Sequence, residues 1–119
     1  EGKKLPIKHC IAGTPGHNIN KEIKDALVDK GGYNIDKSTF GTLEFANDPW
    51  IKEVKNIYIC GVCTDICVIS NAMILKAANP EARIVVLKDL CAGTTPSNHA
   101  MALAAMAQCQ IDIARSDEV

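Results

Sequence analysis

No stretch of the 119-residue sequence approaches the ~20 consecutive apolar residues needed to cross a bilayer. No secretory leader is visible either, so no membrane partner is expected and the cytoplasm is the expected location. Charge of neither sign dominates: 13 lysines and arginines stand against 14 aspartates and glutamates. There is no basic block, and aromatic residues make up only 4%, so no stripe of the kind that binds nucleic acid is present. Internal repeats and low-complexity segments are absent. An initiator methionine is also lacking. The chain opens on Glu1-Gly2-Lys3-Lys4, which suggests processing or truncation.

Cysteine, by contrast, is plentiful. Cys10, Cys60, Cys63, Cys67, Cys91 and Cys109 would suggest a disulfide framework in a secreted chain. Without a secretory signal, reduced thiols are expected, most of them acting as small apolar side chains within patterned runs. The length suits one domain with one core.

Along the chain, apolar and turn-forming residues alternate in blocks. Gly13-Thr14-Pro15-Gly16 reads as a surface loop. Asn18 or Asn20 can cap a helix carrying Ile23, Ala26 and Leu27, which Gly31-Gly32 ends. Tyr33 to Lys37 alternates apolar and polar residues and predicts a short strand. A helical stretch from Thr42 is broken at Asn47-Asp48 and restarted by Pro49. After a strand ending near Gly61, the spacing predicts a helix over roughly Asp65 to Ala78, apolar on nearly every face. That pattern implies burial against a sheet and a second surface, such as another subunit. Ile84-Val85-Val86-Leu87 has the continuous β-branched character of a parallel strand covered on both faces. Thr95 and Pro96 suit the N-cap and first position of a last helix, and Ile111 and Ile113 predict an edge strand. Strands alternating with helices indicate an α/β fold of three layers around a mostly parallel, Rossmann-like sheet.

The chain is organised around Ile57-Tyr58-Ile59-Cys60-Gly61-Val62-Cys63-Thr64-Asp65-Ile66-Cys67-Val68. A strand that turns at Gly61 into a helix start presents its turn at the carboxyl end of a strand, where α/β folds keep their chemistry. Cys67 then falls in the first helical turn, where unpaired N–H groups and the helix dipole favour a thiolate. It is a candidate nucleophile, with a buried structural thiol as the alternative. Lys37, at the end of a predicted strand, can reach the same rim. Cys60, Cys63 and Cys67 also form C-x2-C-x3-C, but a structural zinc site needs a fourth ligand and a knuckle that the sequence does not offer. His99 reads as structural or rim-lining, and Cys60 as a core residue.

Four ordered segments resemble the isochorismatase-like cysteine hydrolases, and their nicotinamidases most. Gly61-Val62-Cys63-Thr64-Asp65-Ile66-Cys67-Val68 is similar to the nucleophile motif. His9-Cys10-Ile11-Ala12-Gly13-Thr14-Pro15-Gly16 is similar to the "HCxxGTxG" loop. Asp36-Lys37-Ser38-Thr39-Phe40 is similar to the lysine segment. Leu87-Lys88-Asp89 with Pro96-Ser97-Asn98-His99 is similar to the last strand and helix. The resemblance implies that Cys67 attacks a small amide to form a thioester, with Lys37 as the lysine of the triad. It implies a cis peptide bond between Val62 and Cys63, which turns the backbone N–H groups of Cys63 and Cys67 toward the oxyanion. Phe40 would line the ring pocket. His9 would be one ligand of a divalent metal, zinc or else iron or manganese.

The family's general-base aspartate, its other metal ligands and its amino-terminal strands have no counterpart in these residues. Residues 1–119 are therefore expected to be the carboxyl-terminal portion of a single domain. Its amino-terminal strands would be supplied by a missing segment or a complementary chain, and the metal would bind only if they are. Expected partners are a small-molecule amide and further copies of the chain. The implied activity is deamidation of nicotinamide to nicotinate and ammonia, little of it by these residues alone. The alternatives are hydrolysis of an N-carbamoyl or ureido compound, a non-catalytic interaction protein on the same fold, and a thiol redox or metal-binding module.

Overall fold

A computed structural model describes residues 7–119, which divide between Thr39 and Phe40 into two units. In the first, a 3₁₀ turn at Pro15–His17 precedes helix α1, Lys21–Asp29. Asn20 caps α1 by accepting the Glu22 N–H at 2.9 Å, so of the two candidate caps it is the later asparagine that serves. The chain leaves α1 through Gly31 at φ +69°, and the Gly32 N–H donates to the Leu27 carbonyl at 2.7 Å. The strand predicted over Tyr33 to Lys37 does not form. Alternation alone does not make a strand, because its N–H and C=O groups need a neighbouring strand, and this unit contains none among the described residues.

The second unit holds the sheet and the core. Helices α2, Glu44–Asn47, and α3, Pro49–Glu53, lead into strand β1, Asn56–Val62. Asp48 separates the two helices and accepts the Trp50 N–H at 2.9 Å, with Pro49 at the first helical position. A five-residue π-helical turn, Thr64–Val68, then opens helix α4, Ile69–Ala78. Strand β2, Arg83–Ala92, helix α5, Pro96–Gln108, and strand β3, Asp112–Ala114, complete the unit. The order is β1-β2-β3 and both pairings are parallel. The result is a parallel sheet with flanking helices, the α/β class expected.

Ile84, Val85 and Val86 on β2 are buried. In a parallel strand with a neighbour on each edge and cover on both faces, apolar residues need not alternate with polar ones. Ile84 and Val86 join Val68, Ala72 and Leu75 of the π turn and α4, Met106 of α5, and Ile111 in one cluster. Burial of each large member stabilises by about 1.5–3 kcal/mol. Helix α4 packs on α2, α3, α5 and β2, so neighbouring helices of this unit contribute the cover its apolar faces call for.

One buried polar residue ties this core together. Asn79, at the end of α4, donates from Nδ2 to the carbonyls of Ile51 and Val54, both at 2.9 Å. Its Oδ1 accepts the Ala82 N–H at 3.1 Å. A single amide therefore joins the end of α3, the end of α4 and the approach to β2.

Candidate active site

β1 does not end at Gly61 but runs on to Val62. Ile59 pairs with Val86 while Gly61 pairs with Cys91, so the register slips between them. Gly61 has φ +124°, a backbone region that glycine enters without the clash a Cβ would introduce. The next peptide bond, Val62–Cys63, is cis. Cys60 is exposed rather than in the core, because it lies on the exposed face of β1, whose residues alternate between exposed and half-buried. Cys10 and Cys109 are exposed as well, and none of the six cysteines is in a disulfide.

The helix start also differs from expectation. The Cys63 carbonyl accepts both the Ile66 N–H at 3.0 Å and the Val68 N–H at 3.1 Å, and the second of these closes a π turn. Two side chains support the widened turn from α4. The Ser70 hydroxyl donates to the Ile66 carbonyl at 2.6 Å, and Asn71 Nδ2 donates to the Cys67 carbonyl at 2.9 Å. Cys67 thus lies in a π turn, an irregularity that recurs at functional sites, and not in the first turn of an α-helix. It is half-buried.

Asn71 reaches further. Its Nδ2 also lies 3.2 Å from the Phe40 carbonyl, and its Oδ1 accepts the Thr42 N–H at 2.9 Å. The Phe40 backbone and the Cys67 backbone therefore share one amide. Phe40 itself is 40% exposed. Sequence reasoning missed Asn71, although a polar side chain four residues after Cys67 on an otherwise apolar helix was a usable signal.

Cys63, at the head of the turn, sits where its thiolate is disfavoured. Burial pushes the Cys63 thiol up from its ordinary value, and the Asp65 carboxylate and the Cys67 sulfur add to the shift. Cys63 is thereby held as a neutral thiol. Asp65 faces the loop before α5, where its carboxylate accepts the Thr94 hydroxyl at 2.5 Å and the Thr94 N–H at 2.8 Å. Asn98 Nδ2 donates to the same Thr94 hydroxyl at 2.8 Å. These bonds, the hydroxyl's foremost, hold the Asp65 carboxyl below the usual carboxylate range.

A folded-state pKa below the unfolded value means that Asp65 stabilises the fold above the unfolded pKa of about 3.9. That contribution disappears as pH falls through the lower folded value. Wild type should therefore exceed Asp65→Asn in stability at neutral pH, with the gap narrowing below about pH 4. Urea melts of both proteins at several pH values check this. A gap that stays constant down to pH 3 would rule out the carboxylate as its source.

The other two candidates lie in the first unit. Lys37 Nζ donates to the Thr39 carbonyl at 3.2 Å, and the His9 ring bonds through Nδ1 to the Ile7 carbonyl at 2.9 Å. Among the described residues no three His, Cys, Asp or Glu side chains are grouped so as to hold a metal ion. The C-x2-C-x3-C cysteines and His9 do not by themselves form a metal centre. No helix among the described residues is long and apolar enough to cross a membrane.

The family model of the isochorismatase domain matches residues 1–118. Among solved structures, a nicotinamidase of Bacillus subtilis superposes with a TM-score of 0.71 at 21% identity, over 92% of this chain and 64% of its own. A pyrazinamidase/nicotinamidase of Streptococcus mutans gives 0.72 at 21% identity, over 91% and 63%. A pyrazinamidase of Pyrococcus horikoshii in complex with zinc gives 0.66 at 25% identity, over 91% and 62%. The chain therefore spans less than two thirds of the length of each of these three. No curated protein matches the sequence.

Proposed function

We propose, since the chain belongs to the isochorismatase domain family, that it carries the nucleophile of a cysteine hydrolase that cleaves a small amide, nicotinamide foremost. One observation carries the reading. Cys67 is half-buried in a π turn that directly follows β1, with its backbone carbonyl held by Asn71 of α4. The names of the similar solved structures support nicotinamide over other amides.

In this reading the Cys67 sulfur attacks the amide carbon. The proton released by the thiol goes to the departing nitrogen, ammonia leaves, and water then cleaves the thioester to the acid and regenerates the thiol. The backbone N–H groups of Cys63 and Cys67 stabilise the oxyanion. Each such donor is worth about 2.7–4 kcal/mol in a serine protease precedent. The family resemblance assigns the lysine of the triad to Lys37 and a place along the ring pocket to Phe40.

The test is ammonia release by the full-length protein, offered nicotinamide and N-carbamoyl compounds in parallel. Faster release from nicotinamide is expected. Preference for the N-carbamoyl compounds would move the substrate to the ureido class, and release from neither would refute amide hydrolysis.

A further inference from the structure

The turn that carries Cys67 is held by two consecutive side chains to the start of α5, and one of these ties has no part in the chemistry described so far. Thr64 is 0% exposed, and its Oγ1 lies 2.7 Å from Nδ1 of His99. The two residues are 35 apart in sequence. His99 is itself set against the chain before α5. A Cβ built on Gly93 would stand 2.8–2.9 Å from the His99 Cβ, Cα and N atoms, closer than real atoms approach, so only glycine lets the loop lie flat on that backbone. His99 N–H donates to the Thr95 carbonyl at 2.9 Å, which fixes the residue in the first turn of α5. Beside it, Asp65 holds Thr94, and Thr94 accepts from Asn98.

Thr64 directly follows Cys63, the residue whose carbonyl closes the π turn. A buried hydroxyl bonded to an imidazole whose backbone is fixed in α5 constrains the Thr64 side chain, and with it the backbone on either side. That backbone carries the Cys63 N–H and sets the entry of the turn leading to Cys67. We infer that His99 is a positioning residue for the nucleophile turn, acting through Thr64 without touching the reacting atoms. The inference rests on Cys67 being the nucleophile, but its consequence at the sulfur can be read without turnover.

The experiment compares wild type, His99→Leu, His99→Asn and Thr64→Val. Asparagine places a polar atom about where Nδ1 lies, and valine removes the hydroxyl while keeping the shape. The first readout is the rate of alkylation of Cys67 by iodoacetamide, resolved by mass spectrometry and divided by the rate at exposed Cys109 in the same molecule. The second is the division of any loss between kcat and KM in ammonia release.

His99→Leu and Thr64→Val should each lower the Cys67:Cys109 ratio by about tenfold, on the scale of one hydrogen bond that fixes a reacting geometry. They should lower kcat alike at unchanged KM, and His99→Asn should restore both. An unchanged ratio in a folded His99→Leu or Thr64→Val protein would overturn the inference. So would an asparagine variant no better than leucine, since a purely space-filling role would then suffice. If His99→Leu does not fold, Thr64→Val breaks the same bond from the other side. Full turnover in Cys67→Ala would sink the nucleophile reading itself, while the alkylation ratio still scores the positioning.

Discussion

Cys67→Ala should lower ammonia release from nicotinamide by the full-length protein by about 10⁴-fold or more, the order seen when a covalent nucleophile is removed from a hydrolase. The size follows from the route, because without the sulfur no thioester can form and water must attack the amide directly. What remains is the help given by bound geometry and oxyanion donors. Burial and the Asp65 charge disfavour the Cys63 thiolate, and in this reading Cys63 contributes its backbone N–H rather than its sulfur. Cys63→Ala, which keeps the backbone N–H, should therefore cost far less. Turnover by Cys67→Ala within tenfold of wild type would remove Cys67 from the chemistry, and an equal loss in Cys63→Ala would mean that its side chain takes part.

The second large effect concerns the fold. Asn79→Ala should destabilise the protein by about 3 kcal/mol, because two backbone carbonyls, one buried and one partly buried, lose their donor at once and each costs about 1–3 kcal/mol unsatisfied. These are the carbonyls of Ile51 and Val54; the Ala82 N–H loses the Asn79 side chain but keeps the backbone carbonyl of residue 79 at 3.2 Å. At roughly 4–8 °C per kcal/mol for a domain of this size, the melting temperature should fall by more than 10 °C. Asn79→Asp keeps an acceptor for Ala82 but sets a carboxylate oxygen against two carbonyls, so it should be no better at neutral pH. Calorimetry or urea melts of both variants decide. A loss below about 1 kcal/mol would mean that water replaces the amide at both carbonyls.

Much of the fold could be read from local pattern. Thr95 and Pro96 at the start of α5, Pro49 at the start of α3 and the run Ile84-Val85-Val86 behave as their residue types require. Each depends on a side chain and its immediate neighbours. Tyr33 to Lys37 shows the limit of this reasoning. Its alternation is real, but a strand forms only where another strand accepts its hydrogen bonds, and the alternation says nothing about that.

Cys60 shows the same limit for burial. It sits in an apolar β-prone run yet is exposed, since it lies on the face of β1 that the described residues leave uncovered. The π turn at Thr64–Val68 escaped notice because its pattern of apolar residues is also that of an α-helix. The difference lies in the Cys63 carbonyl and in the side chains of Ser70 and Asn71 that take up the loosened carbonyls.

From its residues alone, then, this protein is an α/β chain with a cysteine-bearing turn after a strand, because periodicity, caps and turn residues act over a few positions. Only the tertiary structure decides that Thr64 meets His99, that Asn71 joins Phe40 to Cys67, and that Asn79 holds Ile51 and Val54. Partners 25 to 35 residues apart are chosen by how α4 and α5 pack on the sheet. The motif places a thiol in the turn, and the packing around it sets how firmly that thiol is held.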